Sequence, residues 1–245
     1  MSADASAPLE PAATVDPDVL RGRLEAVRAE IDEAAAAAGR DPAGITCIVI
    51  TKFHPLELVD ALHGLGVRDF GENRHPESRD KAARVHELGD GARLHFVGQL
   101  QRNKARQVGR YADAVHSIDR PELVEALATL DRGERGPLDA TLQLSLDGDT
   151  ARGGVPLDAA EALAERVLET PSLRLRGVMA VAPIGADTDR AFAEVRAVSE
   201  RIRRLAPDAD WISAGMSHDF RSAVSQGATH LRIGTAITGN RPSAP

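Results

Sequence analysis

Apolar residues follow two alternating spacings along this chain. Over 18–39, Leu20, Leu24, Val27 and Ile31 recur every three or four residues before an alanine run ends at Gly39. That pattern predicts an amphipathic helix with a glycine stop. After the Asp41-Pro42 break come eight short runs rich in Val, Ile and Leu, at 45–51, 67–72, 94–100, 114–118, 140–146, 173–181, 210–214 and 230–235. Between most of them helical spacing returns. Examples are Leu123, Val124, Leu127 and Leu130, and later Phe192, Val195, Val198, Ile202 and Leu205. Strands alternating with helices pair in parallel through right-handed crossovers. Eight such units predict a closed α/β barrel, (β/α)8. An open doubly wound sheet is the alternative, but no glycine-rich phosphate fingerprint follows the first strand.

Ten residues follow the last strand, too few for a closing helix. The helix at 18–39 is therefore expected to fill that gap, and deleting residues 1–40 to abolish folding. The division expected is a flexible Ala/Pro/Asp-rich leader over 1–17 and one barrel domain over 18–245.

Composition narrows the function classes. The formal charge is −7, from 30 basic and 37 acidic residues, and aromatics are 3 %. Neither suits a nucleic-acid partner. No apolar run approaches the roughly 20 residues that span a bilayer, and the opening lacks the basic and apolar regions of a signal peptide. The expectation is a soluble, cytoplasmic monomer. Cys47 is the one cysteine, which excludes an intrachain disulfide and a cysteine-based metal site. The histidines have no metal-ligand spacing; His95, His116 and His230 fall in strands and read as hydrogen-bonded core or rim residues.

Of the 30 basic residues only Lys52, Lys81 and Lys104 are lysines. A chain that otherwise uses arginine keeps a lysine where a deprotonatable amine has work to do. In such barrels chemistry sits at the carboxyl ends of the strands. Lys52 ends the first strand, where desolvation from below would free its amine for Schiff-base formation with an aldehyde. The alternative is a lysine reaching solvent or pairing with Glu72. Ser217, Gly234 and Thr235 follow strands seven and eight, where barrels often bind phosphate, and outline a cradle for a phosphorylated aldehyde. Arg232 lies inside the last strand, so it either faces an aromatic ring nitrogen or forms a buried ion pair. Met179, near the end of the sixth run, and Asn73, after the second, are further candidates at strand ends.

Several motifs resemble the pyridoxal phosphate homeostasis (YggS/PROSC) family. They are Thr51-Lys52 with Pro55, Gly71-Glu72-Asn73, His95-Phe96-Val97-Gly98-Gln99-Leu100-Gln101-Arg102-Asn103-Lys104, His116-Ser117-Ile118-Asp119, Gly215-Met216-Ser217-His218-Asp219 and Arg232-Ile233-Gly234-Thr235-Ala236. The resemblance implies a single TIM barrel like the N-terminal domain of alanine racemase, with an extra N-terminal helix, binding pyridoxal 5′-phosphate (PLP). By that likeness Lys52 is the Schiff-base lysine, Asn73 stands beside the cofactor, and Ser217, Gly234 and Thr235 hold phosphate. Arg232 then stands near the pyridine nitrogen. Two motifs depart from the family: Arg74-His75-Pro76-Glu77 replaces a Gln-Glu pair, and Arg152-Gly153-Gly154 replaces a Lys-x-Gly pattern.

Two functions follow: a carrier that stores PLP or delivers it to apo PLP-dependent enzymes, or a racemase-like amino-acid enzyme. Two-base racemisation needs an acid/base on the far face of the cofactor. The one tyrosine, Tyr111, falls at a helix end away from the mouth. The carrier is the expected function, with no catalytic residue and no metal.

Overall fold

A computed structural model describes residues 16–149 and 152–240. Its elements are α1 (Pro17–Ala37), β1 (Thr46–Ile50), α2 (Glu57–Gly64), β2 (Asp69–Glu72), α3 (Glu77–Leu88), β3 (Arg93–Phe96), α4 (Arg102–Tyr111), β4 (Ala114–Ile118), α5 (Pro121–Leu127), β5 (Leu138–Ser145), β6 (Val155–Pro156), α6 (Ala160–Leu168), β7 (Leu173–Met179), α7 (Thr188–Leu205), β8 (Trp211–Ser213), α8 (Phe220–Ser225), β9 (His230–Ile233) and α9 (Thr235–Thr238). Every strand pairing is parallel. The ring runs β1-β2-β3-β4-β5-β7-β8-β9 and back to β1, while the two-residue β6 pairs only with β5. The sheet is closed, so the open-sheet alternative is excluded.

The third strand is shorter than its apolar run. The ladder ends with Val97 N–H donating to the Glu72 carbonyl. Gly98 then crosses the Asn73 backbone so closely that a Cβ there would stand 2.2 Å from the Asn73 carbonyl oxygen. The chain leaves the sheet at that crossing. Gly177 makes a second close approach: its φ is +143°, a Cβ would meet the Trp211 carbonyl oxygen at 2.0 Å, and the β5–β7 register shifts beside it.

Two apolar layers hold the barrel. The outer one lies between strands and helices and includes Leu94, Val115, Leu127, Leu142, Val178, Val195 and Ile233. The lumen differs. Barrels commonly fill it with branched aliphatics, but here Trp211 stacks on His230 at 4.1 Å between ring centroids, and His95 and His116 are fully buried beside them. Higher up, Gly71 makes room for Ile48 and Ile50.

Helix α1 packs on α8 and on the one-turn α9 that follows β9. Leu20, Leu24, Val27, Ile31, Ala34 and Ala35 bury its inner face against α8 and α9. Arg221 on α8 reaches Glu30 at 3.1 Å, and Arg40 donates to the Val224 carbonyl at 2.7 Å. Asp16 and Pro17, at the end of the expected leader, start α1: Asp16 caps the helix by accepting from Asp18 N–H, and Pro17 opens its first turn, where a missing N–H costs nothing. The rest of that leader, 1–15, and the end at 241–245 lie outside the described residues. Cys47 sits half-buried in β1, and burial pushes its thiol up to about 12. Among the described residues no helix is long and apolar enough to cross a membrane, and no cluster suits a metal ion.

Candidate functional site

The carboxyl end of β1 is built around Lys52. Thr51, fully buried, donates from its hydroxyl to Glu72 Oε1 at 2.7 Å. Lys81, on α3 and almost fully buried, donates to the same oxygen at 2.7 Å and to the Thr51 carbonyl at 2.6 Å. The Glu72 carboxyl serves Lys81 and Thr51. Burial raises the Glu72 carboxyl more than those two partners lower it. After Lys52, Phe53 has a φ of +66°, an uncommon conformation for a bulky residue. It is held there from two sides: its N–H donates to Glu77 Oε1 at 3.0 Å, and the Arg74 guanidinium lies 4.7 Å from its ring centroid. Backbone strain of this kind persists where surroundings over-determine it, typically at sites of function.

The opposite wall comes from the loops after β8 and β9. Gly215 has a φ of +91°, and a Cβ there would meet Ala223 at 2.7 Å, so this loop lies directly on α8. Asp219 accepts from Met216 N–H at 2.6 Å and closes the turn that presents Ser217. Gly234 is different. A Cβ there would touch only Ile50, at an ordinary 3.5 Å, so the protein's own packing does not demand glycine. Its bare backbone faces the mouth, and the first N–H groups of α9, which begins at Thr235, have no intrahelical partners.

These parts converge on one cavity of about 260 Å3, lined by Lys52, His54, Ser217, Arg232, Gly234 and Thr235 among others. Arg232 is buried, and among the described residues it forms no ion pair. Its Nη1 donates to the Ser213 carbonyl at 2.6 Å and to Ser213 Oγ at 2.8 Å, and its Nη2 to the Ala180 carbonyl at 2.8 Å. Burial lowers Arg232 to about 10, which leaves it a cation at neutral pH. His54 was not singled out in the sequence. It is buried in the cavity wall with Nδ1 unpartnered, and burial, then the Lys81 charge, keeps it neutral by lowering its pKa. The donor set is an amine, a guanidinium, two hydroxyls and exposed backbone N–H groups. That set fits an anionic, carbonyl-bearing aromatic ligand such as PLP.

Two expected residues lie elsewhere. Asn73 lines a neighbouring cavity of about 270 Å3 with Gln99, Gln101 and Lys104, its Oδ1 buried without a partner. Met179 is buried at the end of β7, outside the lining of the Lys52 cavity. Tyr111 is held between α3 and α4 by Ser78 Oγ at 2.6 Å and His75 Nδ1 at 3.1 Å, and burial pushes its phenol up to about 12. Arg152 reaches Asp147 and the Ala182 carbonyl rather than the Lys52 cavity.

A closed parallel barrel with a lysine at the end of its first strand and an anion cradle opposite defines a class. Residues 23–242 match the family model described as alanine racemase, N-terminal domain. The chain is 39 % identical over 225 residues to the pyridoxal phosphate homeostasis protein of Corynebacterium glutamicum, covering 89 % of this chain and all of that one. It is 42 % identical over 232 residues to the protein of that name from Mycobacterium leprae, covering 88 % and 90 %. The chain belongs to the pyridoxal phosphate homeostasis protein family. Among solved structures it resembles PipY of Synechococcus elongatus with PLP bound, at a TM-score of 0.77 and 29 % identity, over 90 % of this chain and all of that one.

Proposed function

We propose that this protein holds PLP in the Lys52 cavity as a Schiff base and releases it to apo PLP-dependent enzymes, acting in cofactor homeostasis within the cytoplasm as a monomer. The observation that carries the reading is the convergence of Lys52, Arg232, Ser217, Gly234 and Thr235 on one cavity. In binding, the Lys52 nitrogen bonds to the aldehyde carbon and water leaves. Ser217, Thr235 and the bare backbone at Gly234 receive the phosphate, and Arg232 faces the pyridine nitrogen.

A racemase-like enzyme is the second reading, and two features disfavour it. Tyr111 is tied to Ser78 and His75 outside the cavity. Arg232, a donor with no acceptor, keeps a facing ring nitrogen unprotonated and so weakens the cofactor as an electron sink. The test begins with near-visible absorbance on adding PLP to wild type and to Lys52→Ala. A yellow band in wild type, fixed by borohydride and absent from the variant, supports the reading; free-PLP spectra from both reject it. Transfer of PLP to an apo-enzyme, set against turnover of amino acids, then separates carrier from enzyme.

A further inference from the structure

Five side chains cross the lumen of the barrel as one hydrogen-bonded file. Arg232 Nη1 on β9 donates to Ser213 Oγ on β8 at 2.8 Å. Ser213 Oγ stands 2.9 Å from His116 Nδ1 on β4, and His116 Nε2 stands 2.9 Å from His95 Nδ1 on β3. His95 Nε2 ends the file 2.9 Å from Asp69 Oδ1 on β2. The two histidines and Ser213 are fully buried, while the Asp69 side chain keeps a quarter of its surface.

The two ends of the file and the neutral His116 between them fix the direction of its bonds. Burial raises the Asp69 carboxyl, but His95, Arg93 and His230 outweigh it and hold the group below its usual range, as an acceptor only. His95 must then carry its proton on Nε2. A neutral imidazole has one donor and one acceptor, so a neutral His116 that accepts at Nδ1 donates from Nε2 to His95 Nδ1. His116 Nδ1 in turn accepts from the Ser213 hydroxyl. That commits the one hydroxyl hydrogen downward and turns the oxygen's lone pairs toward Arg232, which can only donate. Burial, followed by the charges of its neighbours, drives His116 well below its usual pKa and keeps it neutral. With His116 neutral, one arrangement satisfies all four bonds.

We propose that His116, acting through Ser213, is a positioning residue for Arg232, and that the file from Asp69 sets how the guanidinium is presented to the cavity. A guanidinium has five N–H groups. Three are spent on Ser213 and Ala180, and 5 − 3 leaves two, on Nε and Nη2, for a ligand. The part assigned to that pair, a bond to a pyridine nitrogen, rests on the PLP reading above. The positioning role reaches beyond it: a contact at the barrel's floor is felt at its mouth.

Two measurements test this. In the ligand-free protein at neutral pH, long-range 1H–15N correlation spectra should show His116 neutral, with its proton on Nε2 and Nδ1 accepting. A proton on Nδ1 of His116 overturns the proposal. The second measurement is PLP affinity and the near-visible band for wild type, Asp69→Ala, His116→Leu and His116→Asn. Asparagine keeps an acceptor where Nδ1 stood, so His116→Asn should stay near wild type. Asp69→Ala and His116→Leu should bind about threefold to tenfold more weakly, the worth of one neutral hydrogen bond, with a displaced band. Should His116→Leu fail to fold, Asp69→Ala, altered at the partly exposed end, carries the test. Wild-type affinity and band in Asp69→Ala overturn the inference alone. No uptake by wild type overturns the PLP reading, and the positioning role with it.

Discussion

Lys81 Nζ lies 2.6 Å from the carbonyl oxygen of Thr51, so a buried lysine on α3 pins the residue immediately before Lys52. The same ammonium holds Glu72, whose carboxylate has no exposure. Lysine scarcity thus marks two roles at one place: an amine that faces the cavity, and a second amine that fixes the strand end from behind.

Lys81→Met should cost about 3–5 kcal/mol in chemical denaturation at neutral pH, because it leaves a buried carboxylate without its partner. Glu72 is already raised by burial, and loss of Lys81 raises it further. A carboxyl with a raised folded pKa is penalised when ionised and relieved when protonated. The deficit relative to wild type should therefore narrow as pH falls through that raised value. A deficit independent of pH would count against the pairing.

Asp113 carries the opposite pH dependence. Burial alone would raise it, but His86 at 3.1 Å, Leu94 N–H at 2.7 Å and Arg135 at 2.7 Å outweigh burial and hold it well below the usual carboxylate range. A depressed folded pKa contributes stability above the unfolded value, near pH 4, and loses it as pH falls further. Asp113→Asn should cost about 1–3 kcal/mol at pH 7, and little where wild-type Asp113 is itself protonated. Denaturation curves at a series of pH values read this directly.

Two glycines should answer alanine in opposite senses. Gly177→Ala forces a Cβ to within 2.0 Å of the Trp211 carbonyl oxygen at a φ of +143°, and should cost about 3 kcal/mol or more. Gly22 lies inside α1 with nothing within 4 Å of a Cβ. Gly22→Ala should stabilise by about 0.5–1 kcal/mol through helix propensity and a less flexible unfolded chain. Thermal melts of the two variants should move in opposite directions.

Removing residues 1–40 uncovers α8 and α9. Leu20, Leu24, Val27 and Ile31 are all buried on α1, and each contributes roughly 1.5–3 kcal/mol when fully buried. Their sum rivals the 5–15 kcal/mol or so that holds a typical domain. The truncated chain should show no cooperative unfolding transition; a sharp one would mean that the barrel closes without α1.

The eight barrel strands were legible because parallel strands backed by helices carry dense Val, Ile and Leu runs. The end of β3 was not. A run reaching Leu100 reads as strand, while the crossing of Gly98 over Asn73 depends on two segments meeting in space. Lys52, Ser217, Gly234 and Thr235 were legible because topology alone brings strand ends to one mouth. The partner of Arg232 was not, since nothing in the sequence pairs it with Ser213 rather than with an acid. The histidines showed the same limit: their burial followed from the strands, but the order in which they join four strands did not.

Helix α1, which packs on α8 and α9, is synthesised before every strand of the barrel. Glu30 on α1 meets Arg221 across 191 positions, so during translation the Leu20–Ile31 stripe leaves the ribosome long before its cover exists. A chain that must hold α1 until α8 and α9 arrive has a high contact order at this seam, and an apolar stripe that chaperones would shield. A circular permutant starting at β1, with α1 carried behind α9, would make stripe and cover almost together. Its refolding should depend less on such shielding, although the finished barrel would contain the same contacts.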